Sequence, residues 1–417
     1  LTPEKRRLRG NMSDFAARIL HIATPRDAER ELVRIKVDPA GIALMTGKMQ
    51  TRCVKLEGLL CRQANILKQE MLSLGGDAAV ARGSVACSIE RTDVILIGTD
   101  KQLLRLCGKL GGQPFGLPAL GPQLRTLLTN SNHPAGFWDI ARQRLPLHRP
   151  LIMGILNVTP DSFSDGNRYF DPQQAVDRAL EMVAEGADII DIGGESTRPG
   201  AAEVPPEEER ARVVPVITAL RDQSLCPISV DTWKSSVARE ALDAGAAIVN
   251  DISGFTFDPA MKEVVAASGA GAVLMHTRGT PRTMQRDTDY DDLIGEITAS
   301  LRSLIHSAVD AGVARERIAV DPGIGFAKDR AGNIEILRRL DEFQSLGQPI
   351  LVGTSRKSFI GTTLGRETGD RLYGTAATVA LAVDRGARIL RVHDVRAMRD
   401  VADMTAAISS GCDTPAA

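Results

Sequence analysis

From residue 151 onward, short apolar, β-rich runs alternate with longer amphipathic segments, and this alternation constrains the fold of the 417-residue chain more than any other feature. The runs are LIMGILNV, ADIIDIGG, PISVDT, AAIVND, GAVLMH, RIAVDPG, PILVGTS and ARILRVHD. Between them lie stretches such as PQQAVDRALEMVAEG, WKSSVAREALDAG and NIEILRRLDEFQ, whose apolar residues recur every three or four positions, the period of a helix with one buried face. Several close on Gly, a common helix stop. Strand then helix, eight times over, predicts an α/β fold: a (β/α)8 barrel across residues 151–410. A doubly wound open sheet is the structural alternative, but it usually has fewer strands and leaves two edges exposed.

Nearly every run ends in a polar, chemically capable residue: Asn157, Asp191, Asp231, Asn250, His276, Asp321, Ser355 and the pair Arg391/His393. A parallel barrel opens all its C-terminal strand ends onto one face, so these side chains are expected to converge on one pocket. The bland reading, that polar residues merely begin loops, explains one or two of them but not the set.

The rest of the chain reads differently. Residues 1–14 are expected to be disordered or extended; the chain begins with Leu1 and a Met stands at position 12, so residues 1–11 are read either as an over-extended start or as an added remnant. Residues 15–130 read as a small α/β domain, with helix-like RDAERELVRI and LCRQANILKQEML beside strand-like GIALM, TRCVKL and DVILIG. Residues 131–150 are rich in Pro and Arg and read as a linker; residues 411–417 read as a flexible tail. Leu74-Gly-Gly-Asp77 reads as a helix end followed by a turn.

Composition narrows the function. The formal net charge is −1, with no basic stripe of the kind a nucleic-acid binder carries. No apolar run approaches the roughly 20 residues of a spanning helix, and no signal-peptide pattern follows the charged start. The six cysteines form no CxxC pair, so reduced thiols in a cytoplasm are expected rather than a disulfide frame or zinc site.

Within the barrel, the first run continues as Asn157-Val-Thr-Pro-Asp-Ser-Phe-Ser-Asp-Gly166, a long loop in which Asn157, Asp161 and Asp165 offer hard oxygen ligands suited to Mg²⁺. Solvated loop acids are the commoner meaning of such spacing. The second run ends Asp191-Ile-Gly-Gly-Glu-Ser-Thr-Arg-Pro-Gly200, where glycines allow close backbone approach and Arg198 presents a fork for phosphate or carboxylate. Asp231, Asn250 and Asp321 complement a flat heterocycle with several N–H donors, such as an aminopyrimidinone. Phosphate sites in these barrels often follow strands seven and eight, where Ser355, Arg356, Lys357, Arg391 and His393 stand.

The segments ILNVTPDSFSDG, DIGGESTRPGA, SVDT, VNDISG, LMH, DPGIGFAK, GTSRKSFIG and RVHDV occur in the order and approximate spacing of the dihydropteroate synthase family, which residues 150–410 therefore resemble. The resemblance implies a transferase of folate biosynthesis. It joins 6-hydroxymethyl-7,8-dihydropterin pyrophosphate to p-aminobenzoate and releases pyrophosphate, with Mg²⁺ as cofactor and a homodimer as the assembly. It implies pterin binding by Asp231, Asn250, Met275, Asp321, Lys357 and Arg391. Pyrophosphate falls to Asn157, Arg198, Arg391 and His393, and p-aminobenzoate to Phe163, Ser164, Thr197, Pro199, Phe326 and Ser358. Asp161, Asp321, Lys357 and Arg391 are the implied catalytic groups, and Asn157, Asp161 and Asp165 the implied metal ligands. Three positions depart from the family pattern: Ala327 and Asn167 replace glycines, and His276 is followed by Thr-Arg.

A pterin-binding methyltransferase barrel should lack the NVTPDSFSDG and SRKS loops, and a degenerate regulatory barrel should have lost Lys357, Arg391 or Asn157. Both expectations fail here. A fused pyrophosphokinase ahead of the barrel is disfavoured because Arg91-Thr-Asp93-Val holds one acid where a close pair is needed.

Overall fold

A computed structural model describes residues 17–22, 24–141, 143–159, 172–198, 200–223 and 226–410. The chain divides into two compact units, Leu1–Thr129 and Asn130–Ala417.

In the first unit the helices α1 (Pro25–Arg34) and α2 (Pro39–Met45) precede β1 (Thr51–Leu60), α3 (Cys61–Ser73), β2 (Asp77–Val80), β3 (Arg91–Thr99), α4 (Asp100–Lys109) and α5 (Leu117–Asn132). The strands form an antiparallel sheet in the order β1-β3-β2. β3 alternates exposed and buried residues, and its inner Val94 and Leu96 share a core with Leu67 and Met71 of α3 and with Leu103 and Leu106 of α4. GIALM, expected as a strand, is helical. Asp38 accepts the Ala40 N–H at 2.9 Å and Pro39 occupies the first turn, so an N-cap and a pre-set φ outweigh the β-like composition. After α3 the chain turns through Gly75 at φ +77, with Gly76 N–H donating to Met71 O at 3.0 Å.

The second unit opens with an antiparallel hairpin, β4 (Phe137–Ile140) and β5 (Gln143–Pro146). Residues 131–150, expected as a linker, are therefore part of the second unit's structure. Trp138 is fully buried and donates its Nε1–H to Arg317 O at 2.9 Å. With Ile140 and Leu147 it packs on Leu151, Ile189, Ile248, Ala319, Leu351 and Ile389, the first inward-facing residues of the barrel strands. A Pro- and Arg-rich stretch closes the bottom of the barrel because Trp138, Ile140 and Leu147 turn inward, while Phe137 stays exposed.

The eight expected strands are all present: β6 (Leu151–Asn157), β7 (Ile189–Gly193), β8 (Ile228–Asp231), β9 (Ile248–Asp251), β10 (Gly271–Met275), β11 (Ile318–Asp321), β12 (Leu351–Val352) and β13 (Ile389–Val392). They are parallel, in the order β11-β10-β9-β8-β7-β6-β13-β12, and a Val320–Ile350 bridge joins the two ends. The fold is a closed (β/α)8 barrel. Helices including α6 (Pro172–Ala184), α7 (Pro206–Arg221), α8 (Ser235–Ala244), α9 (Met261–Ser268), α10 (Leu293–Asp310), α11 (Arg330–Arg338), α12 (Ser358–Leu364), α13 (Leu372–Asp384) and α14 (Val395–Ser410) follow the strands.

The period of two along each strand sorts the side chains. Ile152, Ile190, Val230, Val249, Leu274, Val320 and Leu390 face outward into the core shared with the helices. The inward column begins apolar and ends polar: Ile189 then Asp191, Ile248 then Asn250, Ala319 then Asp321, Ile389 then Arg391. One end of the barrel is therefore a hydrophobic plug, and the other a charged cup.

Candidate active site

The cup is organised around Arg391. Its Nε donates to Asp191 Oδ2 at 2.6 Å and its Nη2 to Asp231 Oδ2 at 2.6 Å, so one guanidinium bridges two carboxylates on neighbouring strands. Asn250 Nδ2 donates to the same Asp191 oxygen at 3.1 Å. Asp191 had been legible only as a polar strand end, yet it is fully buried and holds both Arg391 and Asn250 in place.

Two oxygens of this network are left over. Asp191 Oδ1 and Asp231 Oδ1 are buried with no hydrogen-bond partner, and such atoms normally await a ligand or water. Space for a flat ligand comes from glycines at two strand ends. A Cβ on Gly193 would sit 3.5 Å from Asp231 Cβ, and one on Gly353 would sit 3.7 Å from Arg391 Cβ and 3.9 Å from Lys357 Nζ. Side chains there would enter the space beside these groups.

Burial governs the protonation of the cup. It pushes the Asp231 carboxyl up, against the Arg391 charge, with Asp191 adding repulsion. It likewise raises Asp321, which Lys357 opposes; Asp321 Oδ1 also accepts the Gly323 N–H at 2.7 Å. Burial lowers Lys357 to about 8, partly offset by Asp321. Arg391 behaves differently: burial opposes its charge, but Asp191 and Asp231 more than offset this and hold it above the usual range. The cup is thus one fixed cation beside two carboxyls that burial holds above their usual range, Asp231 and Asp321, and a lysine lowered to about 8.

Lys357 leaves the SRKS turn, donates to the Ile324 carbonyl, and lies 4.7 Å from the centre of the Phe326 ring. It thereby joins the loops after β11 and β12. Met275, buried at the end of β10, stands in register with Asp321. His393 is fixed by Ser355, whose Oγ is 2.9 Å from its Nδ1 and accepts its backbone N–H at 3.1 Å. Burial lowers His393 to about 4, with Arg391, Arg356 and Arg198 adding to the effect, so it is a neutral imidazole on a positive rim. Asn157 ends β6, and Thr197 and Arg198 lie on the loop after β7, Arg198 exposed. Ser358 is exposed at the start of α12.

Two sequence candidates are engaged elsewhere. His276 is buried with Nδ1 3.0 Å from Lys328 Nζ. Arg356, at φ +58, pairs with Asp394 at 3.1 Å. Asp161, Phe163, Ser164, Asp165 and Pro199 lie outside the described residues. Among the described residues, no three His, Cys, Asp or Glu side chains group as a metal site. Ala327, where a glycine is usual, adopts φ +52, a left-handed conformation that a glycine enters without strain.

A parallel barrel whose polar strand ends surround unpaired carboxylate oxygens, beside a cationic rim, defines an enzyme-type site for a donor-rich flat ring next to an anion. The family model described as pterin binding enzyme matches residues 153–393. The dihydropteroate synthase of Synechocystis is 51% identical over 261 residues, covering 62% of this chain and 90% of its own. A Yersinia pestis dihydropteroate synthase, solved with a sulfonamide drug, superposes with a TM-score of 0.63 at 43% identity, covering 66% of this chain and 99% of the other. The chain belongs to the pterin binding enzyme family and, within it, to the dihydropteroate synthases. A probable bifunctional folylpolyglutamate synthase/dihydropteroate synthase of Haloferax volcanii is 44% identical over 359 residues, 84% of this chain but 42% of its own length. The chain thus spans under half of that relative. A match over 84% of the chain is longer than the second unit alone, so it reaches into the first.

Proposed function

We propose that the barrel condenses 6-hydroxymethyl-7,8-dihydropterin pyrophosphate with p-aminobenzoate, giving 7,8-dihydropteroate and pyrophosphate. The observation that carries this reading is the pair of buried, unpaired oxygens on Asp191 and Asp231, set beside Asn250 and Arg391. An aminopyrimidinone edge supplies the donors these oxygens lack, and Asn250 can both donate and accept. Asp321 and Lys357 address the remaining polar atoms of the pterin, the Arg391 guanidinium stacks on its ring, and Met275 packs beside it.

Pyrophosphate lies toward Arg198, Arg391, His393 and Asn157, where the field is positive. The C–O bond to the pterin methylene breaks and its electron pair leaves with the pyrophosphate, whose growing charge Arg198 and Arg391 stabilise more than they stabilise the ground state. Asp321, and Asp161 in the first loop, stabilise the positive charge left on the pterin. The arylamine lone pair then forms the C–N bond, and the amine releases one proton to solvent. Phe326, Thr197, Pro199, Phe163, Ser164 and Ser358 are read as the walls that hold the arylamine in line.

A Mg²⁺ ion would find a hard amide oxygen on Asn157, and Asp161 and Asp165 are the further oxygen ligands the sequence offers it. When bound it adds to the neutralisation of leaving-group charge. No helix among the described residues is long and apolar enough to cross a membrane. We read the enzyme as cytoplasmic and as a homodimer, the latter supported by Tyr373 and Ile408, large side chains that α13 and α14 leave 84% and 68% exposed. Dihydropteroate formation that depends on both substrates tests the reaction, and sedimentation tests the assembly.

A further inference from the structure

The loop after β7 carries Thr197 and Arg198, and its two ends meet at one buried ammonium group. Lys234 Nζ donates to Glu195 Oε2 at 2.6 Å, to Glu209 Oε2 at 2.6 Å and to the Val204 carbonyl at 2.7 Å. Glu195 Oε1 accepts the Val204 N–H at 2.8 Å. All three ammonium protons are therefore used, and residues 195 and 204 are tied both to Lys234 and to each other. The side chains of Lys234, Glu195 and Glu209 are 9%, 3% and 1% exposed.

Three buried charges are a poor device for stability alone, since apolar groups of similar volume often hold a fold as well or better. What they do supply is a fixed geometry, because each hydrogen bond has a direction. The neighbouring backbone is equally constrained. A Cβ on Gly194 would lie 2.9 Å from Val213 Cγ1 and 3.0 Å from Glu209 Cγ, and the Gly194 carbonyl accepts Arg212 Nη1 at 2.6 Å. Beyond the neck, the Gly200 N–H donates to Pro281 O at 3.1 Å. Between these anchors Ser196 and Arg198 are exposed.

We infer that Lys234 is a positioning residue for the condensation: by closing the neck of this loop through Glu195 and Val204, it sets where Thr197 and Arg198 stand over p-aminobenzoate and pyrophosphate. The inference rests on the proposed reaction. Lys234 touches neither substrate in this scheme, so its signature is a loss at p-aminobenzoate and pyrophosphate that leaves the pterin pocket unaffected.

The test compares wild type with K234M and with K234M/E209L. The double variant keeps the net charge of the cluster unchanged, and serves if two buried carboxylates without a counter-ion prevent the single variant from folding. Three readouts are needed: KM for p-aminobenzoate at saturating dihydropterin pyrophosphate, the dissociation constant of 6-hydroxymethylpterin, and hydrogen exchange over residues 194–205. The expected result is a rise in the p-aminobenzoate KM of at least about tenfold, on the scale of misplacing a positioning group. Pterin affinity should stay within about twofold, since its pocket is left intact, and exchange in the loop should be faster. A folded variant with wild-type KM and wild-type exchange overturns the inference. So does a parallel loss of pterin affinity, which marks a general structural role. If the wild type makes no dihydropteroate, the reaction reading fails by itself, and the exchange comparison still decides whether Lys234 holds the loop.

Discussion

Replacing Arg391 with Lys keeps a positive charge in the cup but removes its fork. The guanidinium reaches Asp191 and Asp231 through two different nitrogens, each at 2.6 Å. A single ammonium on a flexible stem cannot reproduce both bonds. One charge-assisted hydrogen bond, worth about 2 kcal/mol, is lost. A carboxylate left buried and unpaired adds roughly 3–5 kcal/mol if it stays ionised. Asp231 already sits with a raised pKa, so it can relieve most of that cost by taking a proton, which in turn removes an acceptor from the pterin edge. The net loss in kcat/KM is therefore about 3 kcal/mol, or roughly 100-fold. Initial rates of pyrophosphate release, with the pterin substrate varied, measure it directly. The protonation route adds a second sign: raising the pH should restore part of the activity of R391K by returning Asp231 to its ionised form. Activity within threefold of wild type, or no such pH recovery, would refute the bridging role assigned to the guanidinium.

Three other perturbations probe separate links. Gly323 has φ +73, and a Cβ there would lie 1.9 Å from the His276 carbonyl oxygen, so G323A should lose about 3 kcal/mol or more in urea unfolding. W138A should cost the barrel about 3–5 kcal/mol by opening a cavity in its plug, and for the same reason a truncation starting at residue 150 should be much less stable than one starting at 130. Lys357 loses its charge as pH rises through about 8, so kcat/KM for the pterin substrate should fall above that pH, a limb that K357R moves upward. Stability should run the other way: the folded pKa lies below the ordinary 10.5, the unfolded chain binds the extra proton between the two values, and this contribution to folding free energy rises with pH across that window. Parallel thermal unfolding and rate profiles separate the two.

The barrel was legible in the sequence because its physical signal is periodic and local. Eight runs of inward and outward residues sit between helices of the right length, and polar residues fall where strands end. The hairpin closing the bottom was not legible. Its strands are four residues each, lie in a Pro- and Arg-rich stretch, and bury Trp138 in a cluster most of whose strands lie far along the chain. GIALM was ambiguous in composition, and the deciding signal was the Asp38-Pro39 pair ahead of it. In the site, Asp231, Asn250, Asp321, Lys357 and Arg391 could be named in advance, since the strand ends and family motifs marked them. What could not be read was their pairing. Asp191 and Arg391 are 200 positions apart, and which carboxylate takes which nitrogen of the fork is a matter of barrel closure. Lys234 was hidden for a similar reason: in WKSS it reads as the start of a helix, and its partners lie on two other elements.

The proposed condensation is followed most directly through its product. The purified chain is given 6-hydroxymethyl-7,8-dihydropterin pyrophosphate, p-aminobenzoate and Mg²⁺, and dihydropteroate and pyrophosphate are quantified together, then again with p-aminobenzoate omitted. With both substrates the two products should form in equal amounts, and dihydropteroate should appear only when p-aminobenzoate is present. With both substrates present, pyrophosphate release without dihydropteroate, or no turnover in a folded protein that binds the pterin, would contradict the proposed reaction.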